Sequence, residues 1–397
     1  MTAQENGDAR DTRRREREME NTSADLRPTG APTERWSLEA LRRLGLHQLS
    51  FYVPLLGFVY VLTGPHAGWQ PLVFLTLLAG LQLADHLIVR AETRQPPEDI
   101  PHLPFDLMLY VLFAMQLVTV VGAARLISQV GFFSLDGLIL IPMVASGSGF
   151  SIITAHELIH RRAARFRFMG RVMLGLVLYE HFYTEHVRGH HVRVGTPEDP
   201  ATARFGESFR AFHRRTIPAQ FRSAWRLETR RLGDAEMGLW DRRILKSRVL
   251  HGLVAEWAFA FGIGVAFGPS AFVLHVLRSF LAISVLEAVN YFEHWGLVRE
   301  GRAVQPLDSW DTTRMLTLYA QVGLSRHADH HAHASRPFQQ LRHCEESPKL
   351  PRGYPGMVRL VLVDNRKFQE LMTAELKRRQ LGPFAPDRDL AQQGLRA

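Results

Sequence analysis

The sequence predicts an all-α integral membrane bundle of six transmembrane helices, with a histidine-rich metal-binding cap on the cytoplasmic face. Three observations predict it. Apolar residues collect in six long runs, most of them near the roughly 20 residues that a helix needs to cross a bilayer. Lys and Arg collect in alternate connections between those runs, which assigns the two sides of the membrane. The 19 histidines among 397 residues include four clusters at metal-ligand spacing, all on the Arg-rich side.

In chain order, residues 1–34 are polar and include the charged run Arg13, Arg14, Arg15, Glu16, Arg17 and Glu18, which reads as a disordered tail without a cleavable secretory signal. A membrane domain is expected over 35–365 and a polar C-terminal extension over 366–397. The six runs cover about 49–63, 69–89, 104–127, 132–159, 249–267 and 271–293, and residues from Trp36 onward can lengthen the first. A stretch at about 168–184 is apolar but broken by Glu180 and His181, and reads as a helix packed in or against the bundle. Gly64-Pro65, Gly131 and Gly268-Pro269 mark short outer turns that contain no Lys or Arg. The basic residues lie in the tail, the 90–103 loop, the 160–248 region and the C-terminal region. Six spans then put both termini inside, in a bacterial inner membrane.

The net charge of +9 would suit a nucleic-acid binder, but the arginines flank apolar runs and so read as loops facing anionic headgroups. A single cysteine, Cys344, excludes an intrachain disulfide and a thiolate metal site. The region 204–248 carries Arg210, Arg214, Arg215, Arg222, Arg226, Arg230 and Arg231. Such a surface suits an acidic protein partner or lipid headgroups, and the sequence leaves both open.

The first histidine cluster is HELIH, with His156 and His160 at i and i+4 on one helix face at the end of the fourth run. Alone it reads equally as a zinc-protease motif. The second, EHVRGHH, holds His186, His190 and His191; regular helix geometry pairs His186 with His190 and turns His191 about 100° toward a second metal. The third, NYFEHWGL, supplies His294. In the fourth, RHADHHAH, the i, i+3 pair His327 and His330 is expected to share a face, with His331 serving a neighbouring centre. Nine imidazoles exceed the four or so ligands of one ion and imply two metals. Imidazole suits iron, zinc and copper alike, and two metals in a membrane without thiolate ligands fit oxygen chemistry. Glu157, Glu185, Glu293 and Asp329 are placed to accept the second N–H of a ligand ring, and Glu293 is also the leading candidate for a bridging carboxylate. His181 and His333 read as outer-sphere groups. His47, His66, His102, His213, His251 and His343 read as interfacial or loop residues, and His86 and His275, beside Asp85 and Arg278, as structurally paired or snorkelling groups.

At these residues the sequence resembles the AlkB-type alkane 1-monooxygenases of the membrane fatty acid desaturase and hydroxylase superfamily. HELIH, EHVRGHHVRVGTPEDPA, NYFEHWGL and RHADHHAHASRPFQQL follow the order and approximate spacing of that family's motifs across about 45–360. NYFEHWGL sets this hydroxylase branch apart from ordinary desaturases. The resemblance implies two iron ions in a non-haem di-iron centre with His156, His160, His186, His190, His191, His294, His327, His330 and His331 as ligands. It implies terminal hydroxylation of medium- or long-chain n-alkanes with O2, with electrons from rubredoxin and, through it, rubredoxin reductase. One cysteine cannot build rubredoxin's four-Cys iron site, so the carrier is expected to be a separate protein. Arg161, Val187 and Trp295 depart from the family's commoner Lys, Asn and Tyr, which puts the substrate in doubt and leaves the ligands intact. Competing readings are a hydroxylase of aromatic methyl groups, fatty acids or terpenes, a lipid desaturase, and a histidine-lined metal transporter. Gly147, Ser148 and Gly149, just before His156, are expected either to leave room for a substrate chain or to pack closely against another helix.

Overall fold

A computed structural model describes residues 36–299, 301 and 303–386, and the expected N-terminal tail lies outside them. The described residues are helical, and only isolated bridges, such as Ala91 with Arg314, have β character. Helix α1, Leu38–Thr63, starts where Ser37 Oγ accepts the N–H of Ala40 and runs through a tight 3₁₀ turn at Gln48–Phe51. α2 is Gln70–Leu87, α3 Leu103–Val130 and α4 Leu135–His160. The shorter α5, Ala164–Gly175, lies along α4, with Gly170 so close to Ile159 and the Ala155 carbonyl that a methyl group there would collide. α6 is Phe209–Arg231, α7 Arg248–Phe267 and α8 Pro269–His294.

Five of these, α1, α3, α4, α7 and α8, are long and apolar enough to cross a membrane. The expected second span is the 18-residue α2, which ends on Asp85 and His86, and it falls outside those five. Asp85 is buried and accepts the Thr317 hydroxyl at 2.8 Å, which ties α2 to the segment Met315–Ala320. Outward faces of the long helices are apolar: Leu62, Val111, Phe261, Val265 and Phe280 are all exposed. Water would disfavour such faces and lipid solvates them, so the fold is that of a membrane protein.

α4 is the central helix and packs against α1, α3, α5 and α8. At its N-terminal end the Tyr60 hydroxyl donates to the Asp136 carbonyl at 2.8 Å, and the His66 backbone N–H donates to Asp136 Oδ2 at 2.8 Å. The expected outer turns are helix ends, and Gly131 and Gly268 adopt positive φ of 68° and 92°, which glycine takes without a Cβ clash. His47, expected at an interface or in a loop, is instead buried against Phe105, Tyr319 and Phe338, because α1 begins earlier than the apolar run implies. His275 does pair with Arg278, at 2.9 Å.

α9, His327–Ala332, closes over the end of the bundle where α4 and α8 finish on histidines. α10, Tyr354–Val363, follows. The segment expected as a polar extension opens with α11, Asn365–Arg379, which buries Phe368, Met372 and Leu376 against Trp295 and Tyr291.

Candidate metal centre

The cap is assembled from four chain segments. α4 presents His156 and His160 one turn apart at its C-terminal end, and α8 presents His294 as its last residue. α9 carries His327, His330 and His331. The remaining three stand on a short helix that runs from Phe182 and widens into a single π turn at His186–His190. There the N–H of His191 reaches the carbonyl of His186, five residues back.

The nine rings form two groups, in each of which one nitrogen per ring lies within 4.8 Å of the others. His156, His160, His186, His191 and His330 make one, and His190, His294, His327 and His331 the other. All nine residues named from the sequence are therefore brought together, but their division differs from the expectation in two places. His186 does not share a group with His190. The π turn adds a residue to the helical period, so His186 and His191 face one way, with their Nε2 atoms 3.1 Å apart, and His190 faces the other. In α9 the i, i+3 pair is split likewise. His331 joins His327 at 3.0 Å between Nε2 atoms, and His330 crosses to His191 at 3.2 Å. The groups adjoin where the rings of His191 and His331 stack at 4.3 Å.

Gly189 leaves room beside the π turn for an ion pair. A Cβ there would lie 2.6 Å from the Glu185 carboxylate and 2.4 Å from Arg193 Nη2, the two groups whose 2.6 Å ion pair passes over it. Burial, with the neighbouring imidazoles adding to it, holds His186, His191, His327, His330 and His331 well below the ordinary histidine range. An imidazole held neutral keeps a lone pair on one ring nitrogen for a metal. Nε2 of His156, His160 and His190 is buried with no hydrogen-bond partner among the described residues. Converging buried nitrogens without hydrogen-bond partners are disfavoured unless a cation completes them. The donor set thus fits two metal ions bound through nitrogen.

The four carboxylates expected behind the rings fare differently. Glu157 accepts Arg161 Nε at 2.6 Å and the Phe338 N–H at 3.3 Å. Glu185 holds Arg193, and Asp329 accepts Arg336, the Arg342 N–H at 2.8 Å and His333 Nδ1 at 3.1 Å. These three brace the backbone around the ligands rather than the rings themselves. The exception is Glu293: its Oε2 lies 3.3 Å from His327 Nε2, on the metal-facing side, and its other oxygen accepts the Tyr354 hydroxyl. The imidazole–carboxylate pair at a ring's far nitrogen is one the sequence reading missed. His190 Nδ1 meets Asp199 Oδ2 at 2.8 Å. Burial pushes the Asp199 carboxyl up, but His190 and the Thr202 hydroxyl outweigh it and hold it at about 2. An acid in the TPEDP turn just after the second cluster was the available signal.

The fold and the site together define an all-helical membrane protein with a paired, all-histidine metal centre at one end of its bundle. Residues 132–360 match the fatty acid desaturase family. Alkane 1-monooxygenase 1 of Alcanivorax borkumensis is 33% identical over 319 residues, 77% of each chain. The alkane 1-monooxygenase of Acinetobacter baylyi is 32% identical over 334 residues, 80% of this chain and 81% of that one. Alkane 1-monooxygenase 1 of Pseudomonas aeruginosa is 40% identical over 218 residues, an alignment that spans 53% of this chain and only 56% of that protein. The chain belongs to the fatty acid desaturase family, in its alkane 1-monooxygenase branch.

Proposed function

We propose that the protein hydroxylates the terminal carbon of n-alkanes at a di-iron centre, taking one oxygen atom from O2 and electrons from rubredoxin. The observation that carries this reading is the pair of adjoining histidine groups, five rings and four, at the inner end of an apolar bundle. The kinship with alkane 1-monooxygenases supports the substrate class. His156, His160, His186, His191 and His330 would hold one iron, and His190, His294, His327 and His331 the other. Iron so held supplies reductive activation of dioxygen, with two electrons and two protons balancing the second oxygen as water.

The chain's own residues do the rest. Asp199, ionised, keeps the proton of His190 on Nδ1 and leaves Nε2 free to donate. Tyr354 orients the Glu293 carboxylate beside His327, where it can complete or bridge the metal shell. Ile152 and Ile159 of α4 and Ile283 of α8 are buried in one apolar core cluster, which keeps water from that part of the bundle. An apolar substrate dissolved in the bilayer reaches that end of the bundle without crossing water. The absence of Lys and Arg from the turns at 64–68 and 268–270 supports a cytoplasmic metal centre in a bacterial inner membrane.

The test is O2- and rubredoxin-dependent turnover of octane, hexadecane and xylene by the reconstituted protein, with products identified and iron counted per chain. Primary alcohols from alkanes, with about two irons bound, support the reading. A benzylic alcohol alone would move the substrate to aromatic methyl groups, and an alkene would make the protein a desaturase. Metal flux into vesicles without oxygen uptake would overturn it.

A further inference from the structure

α6 carries two ridges of side chains, each at four-residue intervals and on opposite sides of the helix. One ridge is buried: Phe212, Thr216, Gln220, Ala224 and Glu228. The other is exposed and cationic: Arg210, Arg214, Arg222, Arg226 and Arg230, interrupted by Pro218. Residues 208–248 hold eleven Lys and Arg against four Asp and Glu, a net +7 in a chain whose total is +9. Arg215 ties down the carbonyls of Pro200 and Thr202 beside Asp199, and the five arginines of the outer ridge lie outside that network.

The depth of α6 is fixed by its contacts with two spans. His213 Nε2 lies 3.1 Å from Ser284 Oγ of α8, ten residues before His294 and so about 15 Å toward the opposite face. Further on, Glu228 accepts the N–H of Arg248, the first residue of α7, at 2.7 Å. α6 therefore lies against the flank of the spans, from within the bilayer's inner boundary to the level at which α7 enters it. Just before that entry the chain exposes Trp240 (98%), Leu239 (71%) and Leu245 (68%) beside Arg242, Arg243 and Lys246. Exposed apolar side chains alternating with cations at the start of a span match the chemistry of the headgroup layer, where Trp partitions and long cations extend to phosphate.

We infer that the outer ridge of α6 and the 239–246 segment form an interfacial binding surface for anionic phospholipid headgroups, continuous with the membrane surface of α7. A soluble electron carrier is the other acidic partner such charge could attract. It would have to displace lipid from the flank of α7 and α8 to reach the ridge, and it would leave the apolar side chains at 239–245 in water. This inference rests on the membrane placement of α7 and α8 and not on the reaction.

The experiment uses the full-length, iron-loaded protein in vesicles of phosphatidylcholine with or without phosphatidylglycerol, the acyl chains brominated near the headgroup. Fluorescence quenching that is lost in Trp240→Phe reports the position of Trp240. The expected result is strong Trp240-dependent quenching by bromolipid and little by aqueous iodide. Phosphatidylglycerol should also be enriched around the protein, falling on the order of twofold to fivefold for each arginine removed in R222Q, R226Q and R230Q at low salt. Those variants should bind iron as the parent does. Trp240 quenched by iodide in every vesicle, or equal contact with neutral and anionic lipid, overturns the inference. So does unchanged lipid selection with a slowed, salt-dependent rate of reduction by rubredoxin, which would assign the ridge to the electron carrier.

Discussion

His190 and Asp199 form the one hydrogen bond between the far nitrogen of a candidate ligand ring and an accepting carboxylate among the described residues, 2.8 Å from Nδ1 to Oδ2. The contact is buried, and Thr202 Oγ1 donates to the same carboxylate oxygen at 2.7 Å while the Ala201 N–H donates to the other at 3.2 Å. Asp199 is thus held in place before it holds the ring. Its replacement by Ala leaves His190 free to rotate and to carry its proton on either nitrogen. Outer-sphere acids of this kind are worth on the order of 10- to 100-fold in metal affinity. Asp199→Ala should lose iron preferentially from the four-histidine group, seen as a fall from about two irons per chain toward one, while Asp199→Asn, which still accepts, should retain more. Equal loss from both groups in Mössbauer spectra would contradict the assignment.

The π turn makes a prediction about pairs. His186 and His191 serve one group and His190 the other. Substitutions within one group act on the same ion and should not add, whereas those in different groups should. H186A/H191A should therefore remove no more iron than the more severe of its single variants, and H186A/H190A should empty both positions. Iron content of the four proteins checks this directly. An outcome in which H186A/H190A behaves as one lesion would restore the regular-helix pairing.

Much of the arrangement was legible in the sequence, and the part that was not has one physical cause. Apolar runs long enough to span a bilayer give α1, α3, α4, α7 and α8, because hydrocarbon admits only backbone that satisfies itself within a helix. Eight of the nine histidines stood out because three clusters repeat ligand spacing, and His294 stood out through its motif. Their division into groups depends on the local period of a helix, and nothing in EHVRGHH by itself announces a π turn; Gly189 is the only mark of the close approach that accompanies it. The carboxylates show the same limit. Glu157 and Glu185 sit beside histidines in sequence, but each has an arginine four or eight residues on that claims it, Arg161 and Arg193. Asp199 is nine residues from its partner and reaches it only through the turn at Gly195, where φ is 76°.

Asp311 gives a pH dependence separate from the metal ligands. It is buried in the cap, with Oδ1 3.3 Å from Lys349 Nζ. Burial pushes its carboxyl up to about 6, against the pull of Lys349. The unfolded chain holds such a group near about 4, so between about pH 4 and pH 6 the folded state binds the extra proton. The stability this group contributes is fully present below about pH 4 and is lost as the pH rises through about 6, a change on the order of 3 kcal/mol. Asp311→Asn should lack that portion of the slope whatever its absolute stability. Thermal unfolding followed in detergent across this window, variant against parent, measures it; parallel curves would show that Asp311 titrates normally.

Gly149 offers the sharpest test of where a substrate chain lies. It precedes His156 by seven residues and His160 by eleven, and at 100° per residue this places it within about 20° of both, about 10 Å along α4. The other two small residues have different surroundings. Ser148 Oγ accepts Arg278 Nη1 at 2.7 Å, and Gly147, nine residues before His156, faces the opposite side of the helix. A Cβ on Gly149 would meet only Val285 Cγ1, at 3.9 Å, so α4 and α8 are not locked together there and a methyl group fits. A phenylalanine ring is far larger and would fill the space on the histidine side. Gly149→Ala should therefore leave the enzyme nearly unchanged. Gly149→Phe should keep its iron but shift preference from hexadecane toward octane by on the order of tenfold in kcat/KM, the scale on which apolar pockets discriminate by size. If the phenylalanine variant binds iron normally and oxidises both alkanes in the parent's ratio, the chain does not pass Gly149, and the smallness of this residue serves helix packing alone.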